Sequence, residues 1–193
     1  LILVPGQVED DASILLGSPE IKSNAALLER VRQSNPDACL IYKPHPDVTA
    51  GLRPGRVESP LDWADHLIED AGITSLLEQV DAVWTLTSLT GFEALLRGVQ
   101  VTTLGVPFYA GWGLTNDLCP MPDRRGQLVT LEGLVHAALI AYPRYHDPVT
   151  NTPCPVEVAL DRLVTGYDQR SSRLRLLAKA QGVMASYSWL WRR

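Results

Sequence analysis

The segment Thr87-Ser88-Leu89-Thr90-Gly91-Phe92-Glu93-Ala94-Leu95-Leu96-Arg97-Gly98 sets hydroxyls, a glycine and a carboxylate directly after an apolar run, Ala82 to Leu86. A strand that runs into such a turn and then into a short helix, here from about Phe92 to Gly98, offers backbone N–H groups and the positive end of a helix dipole to a phosphate. Ser88 and Thr90 add hydroxyl donors, and Gly91 lies in the same turn. Glu93, in the first helical turn, can accept hydrogen bonds from ribose hydroxyls or simply favour the dipole. The chemistry this suggests is the handling of a nucleotide-linked substrate.

Other reactive side chains follow other apolar runs. Glu9, Asp10 and Asp11 come just after Leu1 to Val4. A carboxylate there can serve as base, nucleophile or metal ligand, or can cap a helix near Ser13 to Leu16. His45 sits between Pro44 and Pro46, on a turn stiffened by fixed φ angles. It can donate to a phosphate, with Lys43 adding charge; the alternative is a turn histidine bonded to the backbone. Tyr109 and Trp112, in a glycine-flanked loop, can stack a base or sugar, or form an apolar lid on the sheet edge. Arg124 and Arg125 can clamp an anion or occupy a solvated turn. His66, His136 and His146 share no metal-ligand spacing, so no metal site is expected.

These residues need elements to hold them. Leu1–Val4, Ala38–Tyr42, Ala82–Leu86 and Val101–Leu104 read as short buried strands. Helical patterns lie between them: one capped at Ser23 or Asn24, one starting at Pro60 with Trp63, Leu67 and Ile68, and one capped at Ser75. A further helix, capped by Thr130, runs to about Ala141, with Leu131, Leu134, Val135, Ala138 and Leu139 inward. Alternating strand and helix predicts an α/β fold with a doubly wound parallel sheet. Such sheets bind ligands at the carboxyl ends of their strands. Those ends are Gln7 to Asp11, Lys43 to Pro46, Thr87 to Gly91 and Gly105 to Gly113, so the polar residues converge on one rim. Pro143, Pro148, Pro153 and Pro155 mark a connector, and a helix follows through Leu160 and Leu163. The expected organisation is a nucleotide-binding domain over 1–165 and a basic helical tail over 166–193.

The 193 residues, 46% of them hydrophobic and 20% charged, suit one compact domain with a sizeable core. A net charge of −5 argues against nucleic acid as a partner. Three widely spaced cysteines, Cys39, Cys119 and Cys154, indicate neither a zinc site nor a disulfide framework and fit a reducing cytoplasm. No apolar run reaches the roughly 18–20 residues of a membrane span. The chain opens directly on a strand, and reads as a piece of a longer protein.

Four ordered motifs together resemble the bacterial capsule polysaccharide biosynthesis and export proteins of the KpsC/LipB type, retaining β-Kdo glycosyltransferases. They are Gln7-Val8-Glu9-Asp10-Asp11-Ala12-Ser13, Tyr42-Lys43-Pro44-His45-Pro46, Thr87 to Leu95, and Pro107-Phe108-Tyr109-Ala110-Gly111-Trp112-Gly113. Tyr142-Pro143-Arg144-Tyr145 and Asp147-Pro148 extend the likeness, which runs to about Leu163. The resemblance implies a Rossmann-like, nucleotide-binding half of a GT-B-like enzyme, with CMP-Kdo as donor and no required metal. It implies a lipid-linked acceptor, a Kdo linker on a lysophosphatidylglycerol anchor, and a peripheral place at the inner membrane. By the same resemblance, Lys43, His45, Pro46, Ser88, Thr90 and Gly91 hold the CMP phosphate and Glu93 the ribose. Asp11, with Asp10 second, supplies the reacting carboxylate. The relatives carry two complete modules of two halves each, so the acceptor site and the remainder of the enzyme lie mostly outside this chain. A non-catalytic export or assembly module with a relic nucleotide cleft is the alternative.

Overall fold

Four apolar runs become the central strands of a six-stranded sheet in the computed structural model, which describes residues 1–166. They are β1 (Ile2–Pro5), β2 (Leu40–Lys43), β4 (Ala82–Thr85) and β5 (Gln100–Thr103). Two-residue strands, β3 (His66–Leu67) and β6 (Asn116–Asp117), finish the edges. All pairings are parallel and the order is β3-β2-β1-β4-β5-β6. The chain therefore winds outward from β1 in one direction and then, from β4, in the other. In such a sheet the connections leave a crevice where the direction reverses, at the carboxyl ends of the two middle strands. Here that point lies between β1 and β4, where Ile2 is in register with Leu40 on one side and Ala82 on the other.

The central strands are buried on both faces because helices cover both, with Thr85, Thr102 and Thr103 buried among the apolar side chains. Alternation puts Ile2, Val4, Leu40, Tyr42, Trp84 and Leu86 on one side. There they pack with Ile14 of α1 (Ala12–Gly17) and with Leu27, Leu28 and Val31 of α2 (Asn24–Ser34). Ser23 caps α2 as expected, its hydroxyl accepting from the Ala26 N–H at 3.3 Å. Between α2 and the chain's next crossing come α3 (Pro46–Thr49) and α4 (Ile73–Leu77). The helix after β4, α5 (Leu89–Leu95), starts three residues ahead of the expected Phe92, because Ser88 accepts from the Thr90 N–H and caps it earlier. It ends before Gly98, whose φ of +72° turns the chain away.

The helix expected from Pro60 is replaced by one 3-10 turn, Pro60–Asp62, followed by β3. The reason is a polar lock. Asp65 accepts from the Leu40 N–H and from Arg32, both at 2.7 Å, while Arg32 also donates to the Trp63 carbonyl at 2.8 Å. These bonds draw residues 63–67 onto the edge of β2. The helix expected at Ser75 begins instead at Ile73, after Gly72. Thr130 does cap, accepting from the Gly133 N–H, but α6 (Leu131–Val135) is short and winds on as a π-helix over His136–Ala141. That change of winding rotates the inner stripe, and Leu139 emerges 39% exposed.

The chain divides into two compact units at Leu134. In the second, the proline-marked connector is a hairpin of β7 (Tyr145–Asp147) and β8 (Thr152–Cys154), followed by α7 (Val156–Val164). Asp147 is buried there and takes Nε and Nη2 of Arg162 on its two oxygens, at 3.1 and 3.2 Å. Apart from Gly166, the basic tail expected over 166–193 lies outside the described residues. Among the described residues no helix is long and apolar enough to cross a membrane.

The buried polar centre of the first unit is Asn24, 1% exposed. Its Oδ1 accepts from the Gln7 N–H at 2.9 Å, and its Nδ2 donates to the carbonyls of Gln7 (2.7 Å) and Gly55 (2.8 Å). Leucine at this position keeps the volume but leaves three buried backbone groups unpaired. Asn24→Leu is expected to cost about 3 kcal/mol or more, a fall in Tm of about 6–12 °C on calorimetric melting. An unchanged Tm would show that the bonds are replaced by water.

Candidate active site

A cleft of about 530 Å³ opens at the carboxyl ends of β1, β2, β3 and β4. Its walls are Pro5 and Gly6 at the end of β1, Lys43 to Pro46 at the end of β2, Glu69 to Ile73 after β3, and Ser88, Leu89, Thr90 and Glu93 after β4. Lys43, His45 and Pro46 from one motif are thus brought together with Ser88, Thr90 and Glu93 from another. A smaller hollow of about 360 Å³, which shares Pro44 and Glu69 with the cleft, contains none of the candidate residues.

His45 is held in one orientation by its own helix. It is the N-cap of α3, and its Nδ1 accepts from the Asp47 N–H at 3.1 Å. An accepting Nδ1 carries no proton, so the neutral ring bears its hydrogen on Nε2. The flanking prolines fix the entry into the turn, with Pro46 at the first helical position. The ring therefore presents a donor without needing a positive charge. Lys43 donates to the Glu69 carbonyl at 2.9 Å, which places its ammonium between the loops after β2 and β3.

Across the cleft, the Ser88 hydroxyl donates to Thr90 Oγ1 at 3.1 Å and accepts from the Thr90 N–H at 3.2 Å. The Thr90 hydroxyl, accepting that bond, has its own hydrogen left for a ligand. The Ser88 carbonyl accepts from Tyr109 Oη at 2.5 Å, which pins the turn from below. The Glu93 carboxylate has no hydrogen bond among the described residues. Gly91 is buried and does not line the cleft. A Cβ there would strike the Tyr109 ring, so its missing side chain makes room for Tyr109 rather than opening the wall.

Of the two readings of Tyr109, ligand stacking is excluded and apolar packing holds: it is fully buried, packed against Phe92 and Phe108. Burial also pushes its hydroxyl well above the usual tyrosine range. Arg125 serves the same loop, donating to the Pro107 and Ala110 carbonyls and lying 5.9 Å from the centre of the Trp112 ring. Its Nη1 thus serves as a scaffold for the loop. Trp112 stays half-buried, its Nε1 donating to the Phe108 carbonyl.

The acid motif stands beside the cleft rather than in its wall. Asp11 is the N-cap of α1, its Oδ1 accepting from the Ser13 N–H at 2.8 Å. That backbone bond, with the Ser13 hydroxyl, holds its carboxyl below the usual range, and the charge of Arg53 acts in the same direction. Its second oxygen has no hydrogen bond among the described residues. Asp10 takes Arg53 at 2.6 Å, and Glu9 accepts from the Asn24 N–H at 2.7 Å. Both readings of this motif, cap and reactive carboxylate, therefore remain compatible. No three His, Cys, Asp or Glu side chains among the described residues are grouped to hold a metal ion.

Three contributions went unread in the sequence. Gln7 is buried, and its Oε1 accepts from the Thr87 N–H at 3.0 Å, tying β1 to β4 across the reversal point. Its Nε2 is buried without a partner among the described residues. Asn24 was read as a cap only. Glu69 and Asp70 bring two more carboxylates to the cleft from a loop whose strand is two residues long, too short to leave a pattern.

The chain is similar to known proteins of capsule biosynthesis. The family model described as capsule polysaccharide biosynthesis protein matches residues 1–145. The capsule polysaccharide modification protein LipA of Neisseria meningitidis is 53% identical over 167 residues, covering 85% of this chain and 23% of that protein. The lipopolysaccharide-processing protein LpsZ of Rhizobium meliloti is 48% identical, covering 75% of this chain and 33% of that protein. The chain thus spans about a quarter to a third of the length of these relatives. Among solved structures, the Thermosulfurimonas dismutans KpsC β-Kdo 2,7 transferase superposes with a TM-score of 0.79 at 43% identity, over 87% of this chain and 54% of that one. The KpsC β-Kdo 2,4 transferase of the same organism gives 0.73 at 32% identity, over 84% and 51%. With a family match across three quarters of its length and the same sheet in those neighbours, the chain belongs to the capsule polysaccharide biosynthesis protein family.

Proposed function

We propose that this chain is the donor-binding half of a GT-B-like glycosyltransferase that transfers Kdo from CMP-Kdo, with retention, to a lipid-linked acceptor in capsule assembly. The observation that carries this is the gathering of Lys43, His45, Ser88, Thr90 and Glu93 around one cleft at the reversal point of the sheet. The named activities of the solved relatives supply the sugar. The enzyme works at the cytoplasmic side of the inner membrane as a peripheral protein, and the acceptor site belongs mainly to the other half of the module.

In this reading the CMP phosphate lies between the His45 and Thr90 donors, with the Lys43 charge beside it and the ribose on Glu93. Asp11 attacks the anomeric carbon C2 of the sugar. The C2–oxygen bond to the phosphate breaks, and its electron pair leaves with CMP. Charge grows on the departing phosphate oxygen, where donors already fixed by α3 and the Ser88 turn stabilise it without rearrangement. An acceptor hydroxyl then attacks C2, the C2–Asp11 bond breaks with its electron pair returning to Asp11, and the hydroxyl proton passes to solvent. Two inversions give net retention. The cap bond from Ser13 keeps Asp11 ionised and leaves one oxygen for attack.

Binding is testable on this chain. CMP at about a hundred times its Kd is expected to raise Tm by about 5–10 °C, with UMP giving much less, and His45→Ala is expected to weaken CMP binding about tenfold. A folded chain whose melting ignores CMP would remove the nucleotide reading. Transfer is measured in a full-module protein carrying this segment. There Asp11→Asn is expected to lower turnover by about a thousandfold or more. Because its carboxyl is held below the usual carboxylate range, the limb of the pH profile that Asp11 controls lies on the acid side of that range, activity persisting above it. Unchanged turnover in Asp11→Asn would leave a relic cleft or a front-face route.

A further inference from the structure

Beyond the cleft, the acid motif is faced by one arginine on a restrained loop. The segment after α3 is strapped down at two points: the Glu9 N–H donates to the Pro54 carbonyl at 3.2 Å, and Asn24 donates to the Gly55 carbonyl at 2.8 Å. The Arg53 N–H donates to the Asp47 carbonyl at 3.2 Å, tying the same loop to the His45 turn. Gly55 has a φ of +130°, and a Cβ there would strike the Gln7 carbonyl and the Asn24 amide, so the strap admits only glycine. Pro54 stiffens the residue before it. These restraints hold Arg53 against the acid motif.

The bonds Arg53 makes are incomplete. Its Nε and Nη2 both donate to a single oxygen, Asp10 Oδ1, at 3.1 and 2.6 Å. Nη1 and Asp10 Oδ2 have no hydrogen bond among the described residues. The side chain is 40% exposed, within reach of a ligand. The negative charges of Asp10, Asp11 and Asp47 all act on the same guanidinium. No other cationic side chain among the described residues is hydrogen-bonded to Glu9, Asp10 or Asp11.

The transfer reading poses an electrostatic problem that this arginine answers. A sugar acid of the Kdo type carries a carboxylate on the carbon that Asp11 must approach. Two carboxylates brought that close repel unless a cation lies between them. A guanidinium is suited to the task, because its planar fork matches a carboxylate and it stays charged at every working pH. We propose that Arg53 receives the carboxylate of the donor sugar through its unused Nη1 edge, while Asp10 keeps the other edge in place, and that this contact selects sugar acids over neutral sugars. This rests on the transfer reading above and names the residue that reads the sugar rather than the nucleotide.

The test compares two hydrolysis-resistant CMP-linked ligands, one with the sugar carboxylate and one with that group as a neutral carboxamide. Their binding to this chain is measured by calorimetry beside that of CMP. The wild-type chain is expected to prefer the carboxylate ligand about tenfold, the size of one charge-assisted hydrogen bond. Arg53→Gln is expected to reduce that ratio to near one while leaving the Kd for CMP unchanged, and Arg53→Lys to retain part of it. A merely structural arginine would alter CMP binding and Tm without touching the ratio, and that result overturns the inference. So does a wild-type ratio of one with CMP bound normally. Failure of CMP itself to bind overturns the transfer reading, and the inference with it.

Discussion

Everything functional in this fold hangs on a small buried polar clamp at the point where the sheet reverses direction. Asn24, the first residue of α2, binds both backbone groups of Gln7 as the chain leaves β1, and the Gly55 carbonyl besides. Gln7 in turn binds the Thr87 N–H as the chain leaves β4. Three loops that come together nowhere in the sequence are thereby fixed to one another: the acid motif, the Arg53 strap and the Ser88 turn. Such bonds are strong because water is absent, and their loss is costly for the same reason. A rim built this way keeps donors fixed, which is what stabilisation of a departing phosphate needs.

The residues proposed for the chemistry are also structural ones. His45, Ser88 and Asp11 each cap a helix, and capping decides what remains for a ligand. His45 gives up its Nδ1 lone pair and keeps Nε2–H. Ser88 spends its hydroxyl on Thr90, so the free donor of that turn belongs to Thr90. Asp11 uses one oxygen on Ser13 and keeps the other. The two readings of each residue in the sequence, scaffold or chemistry, are therefore not rivals: the scaffold bond sets the protonation and direction of the chemical group.

The sequence made the fold class plain because the buried strands Ile2–Pro5, Leu40–Lys43 and Ala82–Thr85 are short, mainly apolar runs and Gln100–Thr103 is rich in β-branched residues, with helical patterns between them. The convergence of Lys43, His45, Ser88, Thr90 and Glu93 followed from that alternation, since each comes just after a strand. What stayed hidden has physical reasons. The β3 edge is made by the side-chain bonds of Asp65 and Arg32, which leave no periodicity in residues 60–68. The inward turn of Tyr109 depends on space left by Gly91, eighteen positions earlier. Arg53, flanked by Leu52 and Pro54, gave no local signal, because its meaning comes from a strap closed by residues far away in the chain.

The central claim is that a CMP phosphate sits between the loops after β2 and β4. A crystal structure of the chain with CMP tests it most directly. The account predicts the phosphate within hydrogen-bonding distance of His45 Nε2 and the Thr90 hydroxyl, with the ribose on Glu93. A nucleotide bound elsewhere, or in the cleft with its phosphate turned away from His45, would contradict it.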